Sequence, residues 1–329
     1  MMVEISVVMA NYNGARYLSA ALKSLQGQTF PHWELIFVDD GSDDDSVALA
    51  SRAASHDPRI RIFVQTHNQG PAAARNKAIE LAQGRWIAIF DSDDLMRPDR
   101  LAVLRERAKS DRAAIVADNL LVFSADQLRP KYFLPHDYTR APRWIGLAEY
   151  IDSNRLYSRT PDLGYLKPMI DLERLRASGI RYDERLRIGE DYELIARLMA
   201  AGMRLRLEPT AHYLYRKHAS SISHRIHAEA LEALIQANNR LQLAVRPPDP
   251  EILEALRRRD QSLQAMLAYD RVIGMLKAGD YAHAAQVSIR EPRIWPLLTR
   301  PVTARMSRLA KAMRSSRTLP LRTAIPAAH

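Results

Sequence analysis

The sequence predicts an α/β fold in which a mostly parallel central sheet is flanked by helices and followed by a helical extension. Three observations predict it. Short apolar runs alternate with helical patterns over the first 125 residues, acidic clusters directly follow two of those runs, and the chain from His227 to about Arg290 has a mostly helical pattern. Hydrophobic residues make up 47% of the 329 residues and charged residues 26%, which is typical of a globular protein.

The first 125 residues alternate strands with helices. The predicted strands are short apolar runs, and they are Ile5–Met9, Leu35–Val38, Ile60–Val64, Trp86–Phe90 and Ala114–Ala117. The predicted helices carry apolar residues at helical spacing, and they are Arg16–Gln26, Asp44–Ser55, Ala72–Ala82 and Arg100–Lys109. Because parallel strands are usually joined through a helix, this rhythm predicts a largely parallel sheet.

Beyond residue 125 the pattern is less regular. The segment Leu128–Ser158, with many prolines and aromatic residues, is typical of a loop that closes over a substrate. After it we predict strands at Gly164–Ile170, Leu205–Leu207 and His212–Tyr215, and helices at Leu172–Ser178 and Glu190–Ala201. The helical extension is interrupted by Arg246-Pro247-Pro248-Asp249-Pro250.

The charge distribution separates a basic tail from the rest of the chain. The net charge is +10, and residues 293–329 contain eight Lys or Arg and no Asp or Glu, so the first 292 residues carry only +2. We therefore expect a main domain at 1–225, a helical extension at 226–292 and a tail at 293–329. In the tail, basic residues surround apolar ones at helical spacing, namely Val302, Met306, Leu309 and Met313. Such a segment could lie on an anionic membrane or pack on the protein, and the scarcity of aromatic residues argues against nucleic acid.

Composition also excludes several classes of protein. With no cysteine, the chain can form neither a disulfide nor a thiolate metal site, and a reducing compartment is the simplest expectation. It contains no run of about 18 apolar residues and no recognisable secretory signal. We expect a cytoplasmic protein that can lie at the inner face of the cytoplasmic membrane.

Many of the candidate binding and catalytic residues lie in three acidic clusters. The first acidic cluster is Asp39-Asp40-Gly41-Ser42, the second is Asp91-Ser92-Asp93-Asp94, and the third is Glu190-Asp191. Ligands of open α/β sheets bind at the carboxyl ends of strands, so the first two clusters are expected to face one crevice. Carboxylates this dense repel one another, which favours a site that handles a cation, a sugar hydroxyl or a proton.

Each cluster has a chemical and a structural interpretation. Asp91 and Asp93 can share Mg²⁺ or Mn²⁺, or form a solvated turn. The first acidic cluster can accept a hydrogen bond from a uracil ring or a ribose, or cap a helix. At a helix N-terminus, Asp191 can stay ionised and act as a general base, while helix capping is a competing role, above all for Glu190.

Five short motifs follow one another along the chain. They are Val7-Val8-Met9-Ala10-Asn11-Tyr12-Asn13, Val38-Asp39-Asp40-Gly41-Ser42, Asn68-Gln69-Gly70 with Ala74-Arg75-Asn76, Phe90-Asp91-Ser92-Asp93-Asp94 and Gly189-Glu190-Asp191. In this order they resemble glycosyltransferase family 2, whose members have the GT-A fold, a Rossmann-like arrangement. The resemblance covers residues 3–225, and Ala10-Asn11 replaces the Pro-Thr that commonly precedes the Tyr-Asn pair.

The resemblance implies a role for each motif. Asp40, with Asp39, would bind the uracil and ribose of a UDP-sugar, and Tyr12 would stack on the base or else pack internally. Asp191, with Glu190 beside it, would deprotonate the acceptor hydroxyl, giving inversion in one displacement. The implied residues for binding the nucleotide sugar are Ala10, Tyr12, Asn13, Asp39, Asp40, Gly70, Arg75, Asp91, Ser92 and Asp94.

The resemblance also implies a cofactor, Mn²⁺ or Mg²⁺. Asp91 and Asp93 would be metal ligands, and Asp94 would reach the sugar. His218 lies in Tyr215–Ser223, which resembles a segment that closes over the diphosphate in many relatives, and a neutral imidazole there would be a third ligand. A surface histidine is the alternative interpretation.

Two further segments, Leu163–Met169 and Ile188–Tyr192, are similar to glycosyltransferases of bacterial exopolysaccharide assembly, including succinoglycan-type glucosyltransferases. This similarity implies a UDP-hexose donor, with glucose first, and a lipid-linked oligosaccharide acceptor. The Gln-x-x-Arg-Trp motif of processive synthases is absent, which predicts one sugar per encounter. The alternative functions are a sugar nucleotidyltransferase and a non-catalytic protein that binds nucleotide sugars.

Overall fold

A computed structural model describes residues 2–124, 129–156, 158, 160–218 and 227–298. The strands are β1 (Ile5–Asn11), β2 (Trp33–Asp39), β3 (Ile60–Val64), β4 (Trp86–Ile89), β5 (Leu95–Met96), β6 (Ile115–Phe123), β7 (Lys131–Tyr132), β8 (Arg143–Ile145), β9 (Met169–Asp171) and β10 (Leu205–Arg216). The helices are α1 (Ala15–Gln26), α2 (Ser46–His56), α3 (Pro71–Leu81), α4 (Arg100–Ser110), α5 (Leu147–Ser153), α6 (Leu172–Ala177), α7 (Glu190–Ala200), α8 (Ala228–Ala244), α9 (Pro250–Lys277) and α10 (Tyr281–Arg290).

The described strands form one sheet in the order β3-β2-β1-β4-β9-β6-β10-β5, with β7 beside β6 and β8 beside β10. Strand β1 pairs in parallel with β2 and β4, β2 with β3, and β6 with β10. Strand β9 runs antiparallel between β4 and β6 and so joins the two parallel sets. The predicted α/β fold with a central sheet is confirmed, and its second half is mixed.

The first half of the sheet follows the sequence prediction closely. All residues of β2 are buried, and so are all of β1 except the partly buried Ala10. Both faces of these strands are covered, which explains why they read as apolar runs and not as alternating patterns. They run further than predicted, and their last residues, Asn11 and Asp39, lie side by side in the register.

The second half departs from the prediction in three places. The predicted strand Gly164–Ile170 is a short 3-10 helix, Leu163–Tyr165, followed by the three residues of β9. The predicted strands Leu205–Leu207 and His212–Tyr215 are one strand, β10, whose register shifts after Glu208. Pro209 follows Glu208 and has no N–H for the ladder, which accounts for the irregularity there.

The predicted loop Leu128–Ser158 is also more ordered than expected. Within its described residues lie β7, β8 and α5, and β8 extends the sheet by pairing with β10. Tyr150 and Ile151 of α5 are buried. Packing in the core therefore overrides the loop composition of this segment.

The C-terminal part is helical, as predicted, with a break between α8 and α9 at the proline-rich segment. The chain divides into two compact units within α9, after Leu263. Leu241, Ala255 and Leu256 belong to the main core of the first unit, while the described part of the second unit has its own small core of Val272, Ala284 and Ile294. None of the described helices combines the length and apolarity that crossing a bilayer requires.

Two predictions concern the C-terminal part of the chain. The amphipathic positions predicted in the tail lie outside the described residues; they are Val302, Met306, Leu309 and Met313. Residues 219–223 of the predicted segment Tyr215–Ser223 also lie outside the described residues. The division of the chain into 1–225, 226–292 and 293–329 stays a prediction.

Candidate active site

The first acidic cluster begins at the last residue of β2, and Asp39 is fully buried there. Its carboxylate accepts hydrogen bonds from the Ser42 amide (2.8 Å), the Ser42 hydroxyl (2.7 Å) and the Asn11 side-chain amide (2.9 Å). The Ser42 hydroxyl in turn accepts from the Asn13 amide at 2.9 Å. Asp39 therefore ties the end of β2 to the loop that follows β1.

Asp40 is held by a second loop. Its two oxygens accept the backbone N–H groups of Gln69 (2.8 Å) and Gly70 (2.7 Å) at the start of α3. Gly70 has φ +101°, a conformation that favours glycine, and a side chain at this position would collide with the Arg187 guanidinium. The carboxylate thus orders the loop that leads into α3 by means of neutral donors.

The loop between β1 and α1 reaches the second acidic cluster. A side chain added at Gly14 would lie 3.1 Å from the Ser92 hydroxyl, so this glycine is close to the Ser92 side chain. Tyr12 in this loop is 50% exposed, so it is not packed in the core. Ala10, near the end of β1, is partly buried, and the Asn13 side chain accepts the Asp43 amide at 3.0 Å.

The second acidic cluster brings three carboxylates together after β4. One ligand oxygen from each of Asp91, Asp93 and Asp94 lies within 4.8 Å of the others. His218 Nε2 lies 2.8 Å from Asp93 Oδ2, which adds an imidazole to the group. Carboxylate and imidazole donors at such separations suit Mg²⁺ or Mn²⁺, so the residues present fit the implied cation.

Asp94 is anchored by two neutral donors. It accepts the Tyr213 hydroxyl (2.8 Å) and the Arg216 amide (2.6 Å), and Tyr213 also accepts the Asp91 amide at 3.1 Å. Burial, followed by the charges of Asp93 and Asp91, raises the pKa of Asp94 well above its usual value. Burial and the charges of its two neighbours therefore favour the protonated form of the Asp94 carboxyl group.

The third acidic cluster starts α7 immediately after Gly189, which has φ +77°. Asp191 accepts the Lys167 ammonium at 2.7 Å and the Tyr182 hydroxyl at 3.0 Å. Burial raises its pKa, but the positive charges of Arg75 and Lys167 outweigh that effect and hold the pKa below its usual value. Asp191 is therefore ionised at neutral pH, as a general base must be before it accepts a proton.

Glu190 has a different environment. It accepts the Arg75 guanidinium at 2.7 Å, and burial together with the neighbouring charge of Asp191 raises its pKa. Its carboxylate is engaged with Arg75, which in turn lies 3.6 Å from Asp191. Glu190 thus contacts the site through Arg75.

Arg75 and Lys167 join the second and third acidic clusters into one network. Arg75 lies 2.8 Å from Asp91 Oδ1, and Lys167 lies 2.8 Å from Asp91 Oδ2. Burial raises the pKa of Asp91, yet these two cations hold it well below its usual range. The same two cations contact Asp191, so one charged network spans both clusters.

A buried ion pair contacts the backbone of this network. Arg100 and Asp118 are fully buried and 2.9 Å apart. The Arg100 guanidinium also donates to the Lys167 carbonyl at 2.5 Å and lies 4.7 Å from the centre of the Tyr213 ring. Arg100 therefore positions both the backbone of Lys167 and the ring of Tyr213, whose hydroxyl donates to Asp94.

Comparisons with known proteins identify the family. Residues 6–164 match the model of Glycosyl transferase family 2. The succinoglycan biosynthesis protein ExoO of Rhizobium meliloti (strain 1021) is 36% identical over 307 residues, which cover 93% of this chain and 87% of that protein. The chain belongs to glycosyltransferase family 2. It is a glycosyltransferase, which favours sugar transfer over the nucleotidyltransferase and the non-catalytic binding protein that the sequence also allowed.

Solved structures show the same fold. S. aureus TarS 1-349 in complex with UDP-GlcNAc matches with a TM-score of 0.60 and 16% identity, covering 88% of this chain and 92% of that one. The mannosyltransferase PcManGT from Pyrobaculum calidifontis, in complex with GDP-Man and Mn²⁺, has a TM-score of 0.55 and 16% identity over 89% and 82% of the two chains. This family 2 glycosyltransferase has the GT-A fold that the resemblance implied.

Three residues of the site were not singled out from the sequence of this glycosyltransferase. Lys167, Tyr182 and Tyr213 reach the acidic clusters from the segment that leads into β9, the loop before α7 and β10. The usable signal was Lys167, a lone charge in an otherwise apolar segment that precedes a strand. The tyrosines carry no such local mark, since aromatic residues are ordinary in strands and loops.

Proposed function

We propose that this glycosyltransferase transfers a hexose, for which glucose is our first expectation, from a UDP-sugar to a saccharide acceptor, with inversion at the anomeric carbon. The observation that carries the proposal is the network that links Asp191 to Asp91. Lys167 lies 2.7 Å from Asp191 and 2.8 Å from Asp91, so a base for the acceptor and a carboxylate for the donor share one ammonium.

The donor would lie along the carboxyl edge of the sheet. Tyr12 and Asn13 would contact the base, and the first acidic cluster would form the wall beside the base and ribose. Asp39 Oδ2 already accepts two internal hydrogen bonds, but Asp39 Oδ1 and both oxygens of Asp40 accept one each and keep a second lone pair that can accept a hydrogen bond from the nucleoside. Ser92 and Asp94 would face the ribose and the sugar.

The cation would be held by Asp91, Asp93 and His218. When bound, Mg²⁺ or Mn²⁺ would neutralise charge on the diphosphate as it leaves. The chain's own residues prepare this site, because Tyr213 and the Arg216 amide anchor Asp94 while His218 orients Asp93. Arg216 also donates to the Asp93 carbonyl at 2.7 Å, which fixes the backbone of the cluster.

Asp191 would act as the general base. It would take the proton from the acceptor hydroxyl while that oxygen forms a bond to the anomeric carbon, and the bond from this carbon to the diphosphate would break with release of UDP. Lys167 and Tyr182 each donate to one of the two carboxylate oxygens, and the remaining lone pairs would accept the proton. A single displacement of this kind inverts the anomeric configuration.

The acceptor is proposed to be a lipid-linked oligosaccharide in exopolysaccharide synthesis. This proposal rests on the 36% identity with ExoO and on the basic tail, which could hold the enzyme at an anionic leaflet of the cytoplasmic membrane. Sedimentation with anionic and with neutral vesicles tests it. Deleting residues 299–329 should abolish sedimentation with the anionic vesicles, and equal sedimentation with and without the tail would contradict the role of the tail.

The decisive test of the proposed function is calorimetry of UDP binding with and without Mn²⁺. We expect binding that depends on the metal, and its absence would contradict the proposed donor site. A screen of UDP-sugars for release of UDP, in Mn²⁺ and in Mg²⁺, would then identify the sugar. Turnover of a single UDP-hexose above the others is the expected result.

A further inference from the structure

Lys167 is a buried cation with two anionic partners. Its side chain is only 9% exposed, and its ammonium contacts Asp91 at 2.8 Å and Asp191 at 2.7 Å. Removing an ammonium from water is costly unless good partners compensate for it. The two carboxylates come from different elements, so this single residue connects the end of β4 with the start of α7.

The position of Lys167 is fixed by its backbone. The Arg100 guanidinium donates to the Lys167 carbonyl at 2.5 Å, and the next carbonyl, that of Pro168, accepts the Ile89 amide at 3.1 Å. Leu166 and Met169 on either side are buried. The ammonium is therefore delivered to the two carboxylates by a rigid segment and not by a mobile loop.

A cation bound at the second acidic cluster would share the Asp91 carboxylate with the Lys167 ammonium and would be repelled by its positive charge. Asp91 Oδ2 faces the Lys167 ammonium, and Asp91 Oδ1 faces Arg75 at 2.8 Å. Asp93, by contrast, has the His218 imidazole as its neighbour, and an imidazole is a metal ligand when neutral. The Lys167 ammonium would therefore oppose a divalent cation held at Asp91, and Asp191 is the other anionic partner of this ammonium.

We propose that Lys167 is a positioning residue that couples donor binding to the general base, an inference that rests on the proposed function. Its ammonium would weaken binding of a divalent cation at Asp91 by charge repulsion, and with a cation held by the second acidic cluster it would retain Asp191 as its partner. The carboxylate of Asp191 is then held in place for the acceptor when the donor is bound. If Lys167 had a merely structural role, removing its charge would not increase the affinity of the protein for Mn²⁺.

The test compares Lys167→Met with wild type and with Lys77→Met, the same change at a solvated lysine of α3. Binding of Mn²⁺ alone is followed by electron paramagnetic resonance, and turnover of the UDP-hexose by release of UDP. We expect Lys167→Met to bind Mn²⁺ about threefold to tenfold more tightly, because a competing charge is gone. Its kcat should fall about 100-fold, with little change in KM for the donor, because Asp191 has lost its orientation.

Two further variants keep the test decisive. Lys167→Gln retains an amide donor for Asp191, so it can fold where methionine does not, and it should show the same tighter binding of Mn²⁺. Lys167→Arg retains the charge and should bind Mn²⁺ within about twofold of wild type while recovering part of the turnover. If either neutral variant binds Mn²⁺ with unchanged or weaker affinity, or turns over at the wild-type rate, the inference is wrong.

The outcome for wild type separates the two proposals. If wild-type protein shows no UDP binding that depends on Mn²⁺, the proposed function itself fails. If wild type binds both ligands and the Lys167 variants bind Mn²⁺ as wild type does, only the coupling role of Lys167 fails.

Discussion

The first acidic cluster and the network formed by the second and third acidic clusters both place buried or partly buried carboxylates at the end of a strand or the start of a helix, but they neutralise them differently. Asp39 and Asp40 accept hydrogen bonds from backbone amides, a serine hydroxyl and a side-chain amide. Asp91 and Asp191 are held by Lys167 and Arg75. Neutral donors fix the shape of a loop, whereas shared cations make the charge of one carboxylate depend on another.

This difference suggests a division of labour. The donors that hold Asp39 and Asp40 are neutral groups of the protein, so the loops there are set in shape before any ligand arrives. In the network, three carboxylates, those of Asp91, Glu190 and Asp191, share the two cations Arg75 and Lys167. A site with surplus negative charge beside further carboxylates is suited to a cation, and the following variants test the contrast.

The largest effect is expected for Asp191→Asn. An amide cannot accept the proton of the acceptor, so turnover of the UDP-hexose should fall about 10³-fold. UDP binding in the presence of Mn²⁺ should stay largely intact, since the donor carboxylates are unchanged. Both are measured by UDP release and calorimetry, with the exposed Asp137→Asn as a control, and retained turnover would assign the base to another residue.

The next largest effect is expected for Asp93→Ala. The change removes an oxygen ligand and the partner of His218, so UDP binding that depends on Mn²⁺ should weaken about 10- to 100-fold. Calorimetry with and without the metal provides the measurement. Asp137→Ala should behave as wild type, and an Asp93→Ala protein that binds Mn²⁺ and UDP normally would place the cation elsewhere.

A smaller effect is expected for Asp40→Asn in the first acidic cluster. Asn can accept only one of the two backbone amides, and its own N–H₂ group would face the other, so the free energy of unfolding should fall by about 2 kcal/mol. Urea unfolding measures it. The exposed Asp43→Asn should change the free energy by less than about 0.5 kcal/mol. Equal stability of the two variants would contradict a shape-setting role for Asp40.

The smallest effect is a pH dependence that arises from Asp94. Its raised pKa means that the folded protein holds this proton more tightly than the unfolded chain does, so its contribution to stability is present at low pH and is lost as pH rises through the raised value. A cation favours the ionised form, so Mn²⁺ affinity should rise by up to about tenfold per pH unit below that pKa. Calorimetry in buffers of different ionisation enthalpy should detect a released proton, and its absence would contradict this assignment.

The parts that were predictable share a physical cause. Strands β1 and β2 are buried on both faces, so they appear as apolar runs that end at polar turns. The second half has β9, with three residues, and β10, whose register shifts near Pro209. Such elements are held by their neighbours in the sheet, and their own sequences carry little periodic signal.

The candidate site divides in the same way. Asp91, Asp93 and Asp191 were predictable because each stands in a short motif at the end of a strand or the start of a helix. Lys167 and Tyr182 were not, because they reach Asp191 across 24 and nine positions of the chain, through a backbone path that no local pattern specifies.

The sequence by itself determined the α/β class, the family and the positions of the acidic clusters. These depend on local composition and on short motifs, which neighbouring residues suffice to define. Only the tertiary structure decided which groups neutralise which carboxylates, because charge pairing depends on separations of about 3 Å between elements that are distant in the chain. The sharing of Lys167 between Asp91 and Asp191 is a property of that arrangement alone.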